Sequence, residues 1–203
     1  MDNSKRAVFF DRDGVINKER TDYVKTVNEL DIFSNIIDSI KRLKNSGFVV
    51  IVLTNQSAIN RGLTTHEKVN KIHKTIQDFL IENGTFIDSF YYCPHRPDKN
   101  CDCRKPKPGL FLKAADELKI DLKSSWMIGD RDTDVEAATA AGCKSMKINS
   151  NDERGFFARS WDKNIFEQKG LNSNLTQCNI SFNKKKELYA ACIIKNIHIK
   201  KQN

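Results

Sequence analysis

The chain has 203 residues, 39% of them hydrophobic, which is enough for one well-packed domain with a small insertion. No apolar run approaches the roughly 20 residues that a membrane-spanning helix needs. The N-terminal residues lead into the first predicted strand without the apolar core of a signal peptide. These features predict a cytoplasmic protein without a membrane partner, in which cysteines stay reduced.

The net charge of +8 is unevenly distributed along the chain. Residues 151–203 hold ten Lys or Arg against five Asp or Glu, whereas residues 1–150 are close to balance. No stacking aromatic residues alternate with the lysines of the basic segment, as a single-strand binder would need. We therefore expect no nucleic-acid partner. The predicted organisation is one folded domain at 1–150 and a basic C-terminal extension at 151–203.

The first predicted strand ends at two aspartates. Val8, Phe9 and Phe10 are apolar, and Asp11 and Asp13 follow one residue apart, at the end of the strand where open α/β sheets bind ligands. Two carboxylates this close repel each other unless a cation lies between them. A Mg²⁺ ion there would let Asp11 stay ionised as a nucleophile while Asp13 transfers protons. The alternative, a simple Asp-x-Asp-Gly turn, is disfavoured by the motifs that follow.

Helical and strand patterns then alternate, as in a parallel sheet flanked by helices. The signature Thr64-x-x-Glu67 predicts a helix N-terminus, and His73 on that helix is interpreted as a structural residue. In chain order the predicted elements are a helix from Leu30 to Leu43, a strand at Phe48–Leu53, a helix from Thr64 to Gly84, a strand at Ile87–Tyr92, a helix at Gly109–Lys119, a strand at Trp126–Ile128, a helix at Thr133–Ala141 and a strand at Cys143–Ile148.

Two further strand ends carry polar side chains. Thr54 follows the second strand, and its hydroxyl and the neighbouring backbone N–H groups can donate to a phosphate oxygen; a helix cap or turn is an equal alternative. Asp130 follows the strand Trp126–Ile128 and would complete the magnesium shell. Asp134 would hold a metal-bound water or a lysine, and Asp132 is interpreted as a helix-start acid that faces solvent.

A cationic loop, Arg104-Lys105-Pro106-Lys107, precedes a predicted helix. A lysine held by prolines in such a loop can neutralise a phosphoryl group and the attacking carboxylate together. We choose Lys105 for this role and keep Lys107 in reserve.

A cluster of sulfur and imidazole ligands lies immediately before that loop. Cys93, His95, Cys101 and Cys103 fall within eleven residues and form a Cys₃His set of the kind that binds structural Zn²⁺ tetrahedrally. The alternatives are a disulfide, disfavoured in a reducing compartment, or reactive thiols. A zinc-binding loop at 93–103 would stiffen this segment and hold the cations over the aspartates.

Together these motifs resemble the haloacid dehalogenase-like (HAD-like) phosphohydrolases, and more narrowly the heptose bisphosphate phosphatases and their sister group, the histidinol-phosphate phosphatases. The resemblance covers roughly residues 6–148 and implies a Rossmann-like parallel sheet without a large cap domain. It implies that Asp11 forms an aspartyl-phosphate and that Asp13 is the acid and base. It also implies that Thr54 and Lys105 bind the phosphoryl group and that Asp11, the Asp13 carbonyl and Asp130 hold Mg²⁺.

By the same resemblance, the segment from Glu19 to Tyr23 and several single residues contact the substrate, namely Arg12, Tyr23, Asn55, Gln56, Ser57, Arg104 and Arg131. The expected substrate is a small sugar bisphosphate, D-glycero-D-manno-heptose 1,7-bisphosphate, hydrolysed at C7 by a monomeric enzyme. Histidinol phosphate is the alternative, and a phosphatase acting on nucleic-acid ends is a related one. An alternative of another class is a non-catalytic, zinc-stabilised RNA-binding module.

Overall fold

A computed structural model describes residues 4–148 and the backbone of two short strands beyond them. The extension predicted at 151–203 otherwise lies outside the described residues, so the boundary at residue 150 stays a prediction. In chain order the elements are β1 (Ala7–Phe10), α1 (Ile36–Asn45), β2 (Val49–Asn55), α2 (His66–Glu82), β3 (Ser89–Cys93), α3 (Gly109–Leu118), β4 (Trp126–Gly129), α4 (Asp132–Ala140), β5 (Lys144–Lys147), β6 (Ala158–Arg159) and β7 (Asn179–Ile180), with 3₁₀ turns at Val27–Glu29, Pro97–Lys99 and Leu122–Ser124.

The main sheet has five parallel strands in the order β3-β2-β1-β4-β5. The chain fills one side of β1 with β2 and β3 and then returns to fill the other side with β4 and β5. Phe10 pairs with Val52 on one neighbour and with Ile128 on the other, so β1, β2 and β4 end at one edge of the sheet. This reversal of strand order is where α/β sheets open a crevice for ligands. The predicted fold class is confirmed.

Each face of the sheet is covered by a pair of helices, as alternation along β1 requires. Val8 and Phe10 belong to the core formed with α1 and α2. Ala7 and Phe9 point to the other face and belong to the core formed with α3 and α4. All four are fully buried, so the first strand is a rigid base for the aspartates that follow it. Within residues 4–148 no separate cap domain interrupts this arrangement.

The first helix begins later than predicted. It starts at Ile36 rather than near Leu30 because the preceding residues pair with the loop that follows β1. The amide of Phe33 donates to the Ile16 carbonyl at 2.9 Å, and the amide of Lys18 donates to the Asp31 carbonyl at 2.9 Å. The backbone of residues 31–33 is therefore engaged by that loop, and the helical spacing of Leu30 and Phe33 did not correspond to a helix.

The N-cap of α2 is Thr65 and not Thr64. The Thr65 side chain accepts a hydrogen bond from the amide of Lys68 at 3.2 Å. Thr64 is buried, and its hydroxyl donates to the Lys25 carbonyl at 2.8 Å, which joins the helix start to the loop after β1. No helix in the described part of the chain is long and apolar enough to cross a membrane.

His73 on α2 is a buried aromatic residue of this core. Its ring stacks on Phe90 with a centroid distance of 4.9 Å, and its Nε2 atom is buried without a hydrogen-bond partner. Burial, with a smaller effect of the Arg12 guanidinium, lowers the pKa of His73 to about 3. The imidazole is therefore neutral in the folded protein, in line with its predicted structural role.

This neutral histidine predicts a specific loss of stability in acid. The unfolded chain binds a proton at His73 near pH 6.5, whereas the folded chain resists it down to about 3, so stability is complete above pH 6.5 and falls below it. Replacing His73→Phe removes this contribution. Between pH 7 and pH 5 the free energy of unfolding should fall in both proteins. We expect the fall to be about 1 to 2 kcal/mol larger in the parent than in the variant.

Urea unfolding at the two pH values measures this difference. His66→Phe, which changes an exposed histidine of the same helix, is the matched control and should keep the acid dependence of the parent. An identical acid dependence in the His73→Phe variant and the parent would show that His73 is not the residue responsible.

Candidate active site

The end of β1, the end of β2 and the start of α4 surround the buried ammonium group of Lys105. Its Nζ atom lies 3.2 Å from Asp11 Oδ1 and 2.6 Å from Asp134 Oδ1, and it donates to the Leu53 carbonyl at 2.7 Å. Burial favours the neutral amine, but the two carboxylates outweigh it and hold the pKa of Lys105 above its usual value. Lys107 lies outside this group and pairs with Asn100 and Asp102.

Three carboxylates meet at this point. One carboxylate oxygen from each of Asp11, Asp130 and Asp134 lies within 4.8 Å of the other two, a spacing that could hold a metal ion. Burial and the neighbouring carboxylates of Asp11 and Asp134 raise the pKa of Asp130 to about 6. When all three are ionised, they exceed the single charge of Lys105 by two. An oxygen-only, doubly negative cluster fits a hard divalent cation such as Mg²⁺.

The loop after β1 is shaped to admit Asp130. Gly14 has a φ of +85°, a conformation that suits glycine, and a Cβ atom at this position would overlap the carboxylate of Asp130. Glycine at position 14 therefore allows the acid from β4 to approach the acids from β1. This close approach explains why a glycine follows the two aspartates in the Asp-x-Asp-Gly motif.

Asp13 lies in a different environment from Asp11. Its carboxylate accepts hydrogen bonds from the Arg12 guanidinium at 2.8 Å, from Asn17 at 3.0 Å and from Gln56 at 2.8 Å. These donors outweigh the effect of burial and lower the pKa of Asp13. Arg12 has no exposed surface. Arg12 and Gln56 donate to Asp13 and do not line the cleft, and their contact with a substrate stays a prediction.

Thr54 and Asn55, at the end of β2, lie beside the lysine. The Asn55 amide donates to the Lys105 carbonyl at 3.1 Å and accepts from the Lys105 amide at 3.2 Å, so it fixes the lysine's backbone from both sides. The Thr54 hydroxyl accepts from Gln56 at 2.9 Å and lines the cleft. The hydroxyl keeps its own proton available for a phosphate oxygen.

These groups line a cleft of about 230 Å³. It brings together nine of the residues predicted for catalysis and substrate binding, which are Asp11, Asp13, Tyr23, Thr54, Asn55, Ser57, Arg104, Lys105 and Arg131. Three lining residues had no signal in the sequence: Val24, Arg61 and Thr133. Arg61 follows Ser57 in a turn without a recognisable motif, and only the folded chain shows that it faces the cleft.

The rim of the cleft carries ion pairs. Arg131 pairs with Glu19, and Arg20 pairs with Asp22 at 3.1 Å, all of them at least partly exposed. Asp132, predicted to face solvent, pairs with Lys147 at 2.6 Å outside the cleft. The segment from Glu19 to Tyr23 is thereby attached to the start of α4 and forms one wall of the site.

The four predicted sulfur and nitrogen ligands form a compact cluster. Both Cys93–Cys101 and Cys101–Cys103 have sulfurs 3.5 Å apart, and His95 Nδ1 lies 3.6 Å and 3.4 Å from the sulfurs of Cys93 and Cys103. Ligands bound tetrahedrally at about 2.1–2.3 Å lie roughly 3.4–3.8 Å apart, so the cluster matches a zinc site. None of these cysteines is in a disulfide. Although burial opposes it, hydrogen bonds with Cys103 and Cys93 lower the pKa of Cys101 to about 7, which favours a thiolate ligand.

The cluster is connected to the cleft through its backbone. The Gln56 amide donates to the Cys93 carbonyl at 2.7 Å, and the Arg104 guanidinium donates to the His95 carbonyl at 3.1 Å. At the far end of the loop a Cβ atom on Gly109 would overlap the Asp102 carbonyl, so α3 starts in close contact with the cluster. Cys103 is followed directly by Arg104 and Lys105, so any ion that fixes the cluster also fixes these cations.

Comparison with known proteins agrees with this geometry. Residues 102–160 match the family model described as HAD-hydrolase-like. The chain is 38% identical over 147 residues to D-glycero-beta-D-manno-heptose-1,7-bisphosphate 7-phosphatase of Pseudomonas aeruginosa, covering 72% of this chain and 83% of that protein. It is 39% identical over 148 residues to the enzyme of the same name from Escherichia coli K12, covering 70% and 77%.

Solved structures show the same relationship. The crystal structure of D,D-heptose 1,7-bisphosphate phosphatase from B. bronchiseptica, complexed with magnesium and phosphate, superposes with a TM-score of 0.71 at 27% identity and covers 96% of this chain and 99% of that one. A putative HAD-like phosphatase from Mesorhizobium loti gives a TM-score of 0.65 at 30% identity and covers 69% and 70%. Fold, strand-end motifs and sequence identity therefore agree, and the chain belongs to the HAD-like family of phosphatases.

Proposed function

We propose that this phosphatase hydrolyses the C7 phosphate of D-glycero-D-manno-heptose 1,7-bisphosphate through an aspartyl-phosphate. The observation that best supports this reaction is the buried arrangement of Asp11, Lys105 and Asp134 beneath a cleft lined by further cations. The relatives that are 38–39% identical carry the name of the heptose enzyme, and they support this choice of substrate.

In the proposed first step a carboxylate oxygen of Asp11 attacks phosphorus, and the bond from phosphorus to the sugar oxygen breaks. Asp13 supplies the proton that the leaving oxygen needs. In the second step Asp13 takes a proton from a water that attacks the aspartyl-phosphate, which releases phosphate and restores Asp11. Lys105 and the Thr54 hydroxyl bind the phosphoryl oxygens throughout.

Asp11, the Asp13 carbonyl and Asp130 would hold Mg²⁺. The ion would supply positive charge that stabilises the ionised carboxylates and the phosphoryl oxygens. Asp134 keeps its position by its contact with Lys105 and by accepting from the Arg131 amide at 3.1 Å. The residues proposed to contact the substrate line the cleft and are Arg104, Arg131, Tyr23, Asn55 and Ser57. The cluster Cys93, His95, Cys101 and Cys103 would hold a structural Zn²⁺.

A substrate panel tests the proposed activity. With Mg²⁺ present, we expect the purified protein to release phosphate from heptose 1,7-bisphosphate with a kcat/KM at least about tenfold above that for histidinol phosphate, because the cleft carries cations for a second phosphate. Removing Mg²⁺ with EDTA should stop turnover, and adding it back should restore turnover. Faster release from histidinol phosphate, or from oligonucleotides with a 3′-phosphate, would reassign the substrate.

Replacing Asp11→Asn tests the covalent step. The amide cannot act as the nucleophile, so we expect the rate of phosphate release to fall by about 10³-fold or more while thermal unfolding stays cooperative. Asp132→Asn is the matched control, since this exposed acid lies outside the cleft. Turnover near the parent rate in the Asp11→Asn variant would exclude the aspartyl-phosphate.

Metal analysis tests the zinc assignment separately. We expect about one tightly bound zinc per chain, and Cys101→Ser should release it and lower thermal stability because the loop loses its cross-link. Cys143→Ser changes a buried cysteine outside the cluster and should leave the zinc content at one. Protein that contains no zinc after purification with added zinc salt would rule out this role for the cluster.

A further inference from the structure

Gln56, just after β2, is a buried polar residue whose side chain reaches two of the groups proposed for catalysis. Its Nε2 atom donates to Asp13 Oδ2 at 2.8 Å and to the Thr54 hydroxyl at 2.9 Å. An amide nitrogen carries two hydrogens, so one group serves both acceptors. Only 2% of the residue is exposed, and it does not line the cleft. A single amide therefore connects the proposed proton-transfer group with the proposed phosphate-binding group.

The backbone of Gln56 is held on two sides. Its amide donates to the Cys93 carbonyl at the end of β3 at 2.7 Å, and its carbonyl accepts from the Ile59 amide at 3.2 Å. A buried side chain that starts from a fixed backbone and makes two hydrogen bonds of its own is restricted to few rotamers. The Nε2 atom of Gln56 is therefore a fixed point between Asp13 and Thr54.

The two oxygens of Asp13 have different donors. Oδ1 accepts from Nε and Nη2 of Arg12 at 3.1 and 2.8 Å and from Asn17 at 3.0 Å. Oδ2 accepts from Arg12 Nη2 at 2.8 Å and from Gln56. The terminal torsion of an aspartate has broad minima, so a carboxyl group turns easily unless both of its oxygens are held. Gln56 holds the oxygen that Asn17 does not reach, and so it helps to fix the plane of the carboxyl group.

The bond to Thr54 gives the same amide a second effect. The Thr54 hydroxyl accepts the Gln56 N–H group, so a lone pair of its oxygen faces Gln56 and its own proton is directed elsewhere. Thr54 lines the cleft, where that proton can meet a phosphoryl oxygen. The place of the phosphoryl group and the place of the Asp13 carboxyl group thus depend on one nitrogen atom.

We propose that Gln56 is a positioning residue that sets the Asp13 carboxyl group at a fixed distance and angle from the phosphoryl group bound by Thr54. The inference rests on the proposed function, in which Asp13 gives a proton to the leaving oxygen. Such a transfer needs a separation of about 2.6–3.2 Å between the two oxygens, and a small rotation of the carboxyl group exceeds it. Gln56 acts on the reaction through Asp13.

The test isolates the proton that the leaving group receives. It compares kcat/KM for p-nitrobenzyl phosphate, whose alkoxide needs a proton to leave, with kcat/KM for p-nitrophenyl phosphate, whose phenolate leaves without one. Gln56→Met removes the donor and keeps the size of the side chain. We expect the ratio of the first constant to the second to fall about tenfold, because a misplaced acid loses part of its contribution. The lost bond to Thr54 lowers both constants and leaves their ratio unchanged.

Two comparisons distinguish positioning from a general structural effect. In a protein that already carries Asp13→Asn there is no acid to position, so adding Gln56→Met should change the ratio by less than about twofold. Gln77→Met removes a half-buried amide that binds the backbone of Ile87 outside the cleft, and it should lower stability without changing the ratio. If Gln56→Met does not fold, Gln56→Asn replaces it with the same expected loss, since its amide is one methylene too short.

The outcomes separate this inference from the proposed function. If Gln56→Met leaves the ratio within about twofold of the parent value, or raises it, Gln56 does not position Asp13. If the parent releases phosphate neither from these esters nor from heptose 1,7-bisphosphate, the proposed function fails. When the parent hydrolyses neither ester, the crystal structure of the Gln56→Met variant decides the inference. An Asp13 carboxyl group turned from its parental orientation supports the positioning role, and an unchanged orientation overturns it.

Discussion

The buried ammonium of Lys105 is the charge on which the other parts of the site depend. Nearly 99% of its side chain is shielded from water, and it contacts two carboxylates, Asp11 from β1 and Asp134 from α4. An unpaired ammonium in such a position would cost several kcal/mol, and so would either carboxylate without the lysine. The three groups therefore specify one another's positions, and they join the end of β1, the start of α4 and the loop before α3 at one point.

The lysine reaches this point because its backbone is held by other segments. Asn55 binds the Lys105 amide and carbonyl together, so the end of β2 fixes where the side chain starts. The Cys/His cluster ends two residues earlier in the chain, in a loop with few apolar anchors. A metal ion in the cluster would supply the rigidity that the hydrophobic core supplies elsewhere. The two proposed metal sites would then have different tasks: one would fix a loop, and the other would lie among the reacting groups.

Sequence patterns predicted those parts of the structure in which local chemistry and tertiary packing agree. Val8, Phe9 and Phe10 followed by Asp11 predicted a buried strand that ends in acids, and the structure confirms it. The spacing of the cysteines and the histidine predicted that they lie together, as they do. The predicted start of the first helix was wrong because a segment distant in sequence forms hydrogen bonds with the same part of the backbone. Leu30 and Phe33 have helical spacing, but the Phe33 amide and the Asp31 carbonyl form hydrogen bonds with the loop after β1. The positions of Arg12 and Gln56 behind Asp13, and of Arg61 in the cleft, depend on contacts between segments that no local pattern records.

The two aspartates of the first motif differ because their neighbours differ, and this difference fits the roles proposed for them. Asp11 lies among carboxylates, and burial raises its pKa, whereas the positive charge of Lys105 favours the ionised form that the proposed nucleophile needs. Asp13 receives hydrogen bonds from Arg12, Asn17 and Gln56, which stabilise its ionised form. That form is the one that can accept a proton from water. In the proposed mechanism Asp13 acts first as an acid, so it must bind a proton against these donors. That requirement implies that its carboxyl group exchanges part of its contact with them for the substrate oxygen when the cleft fills.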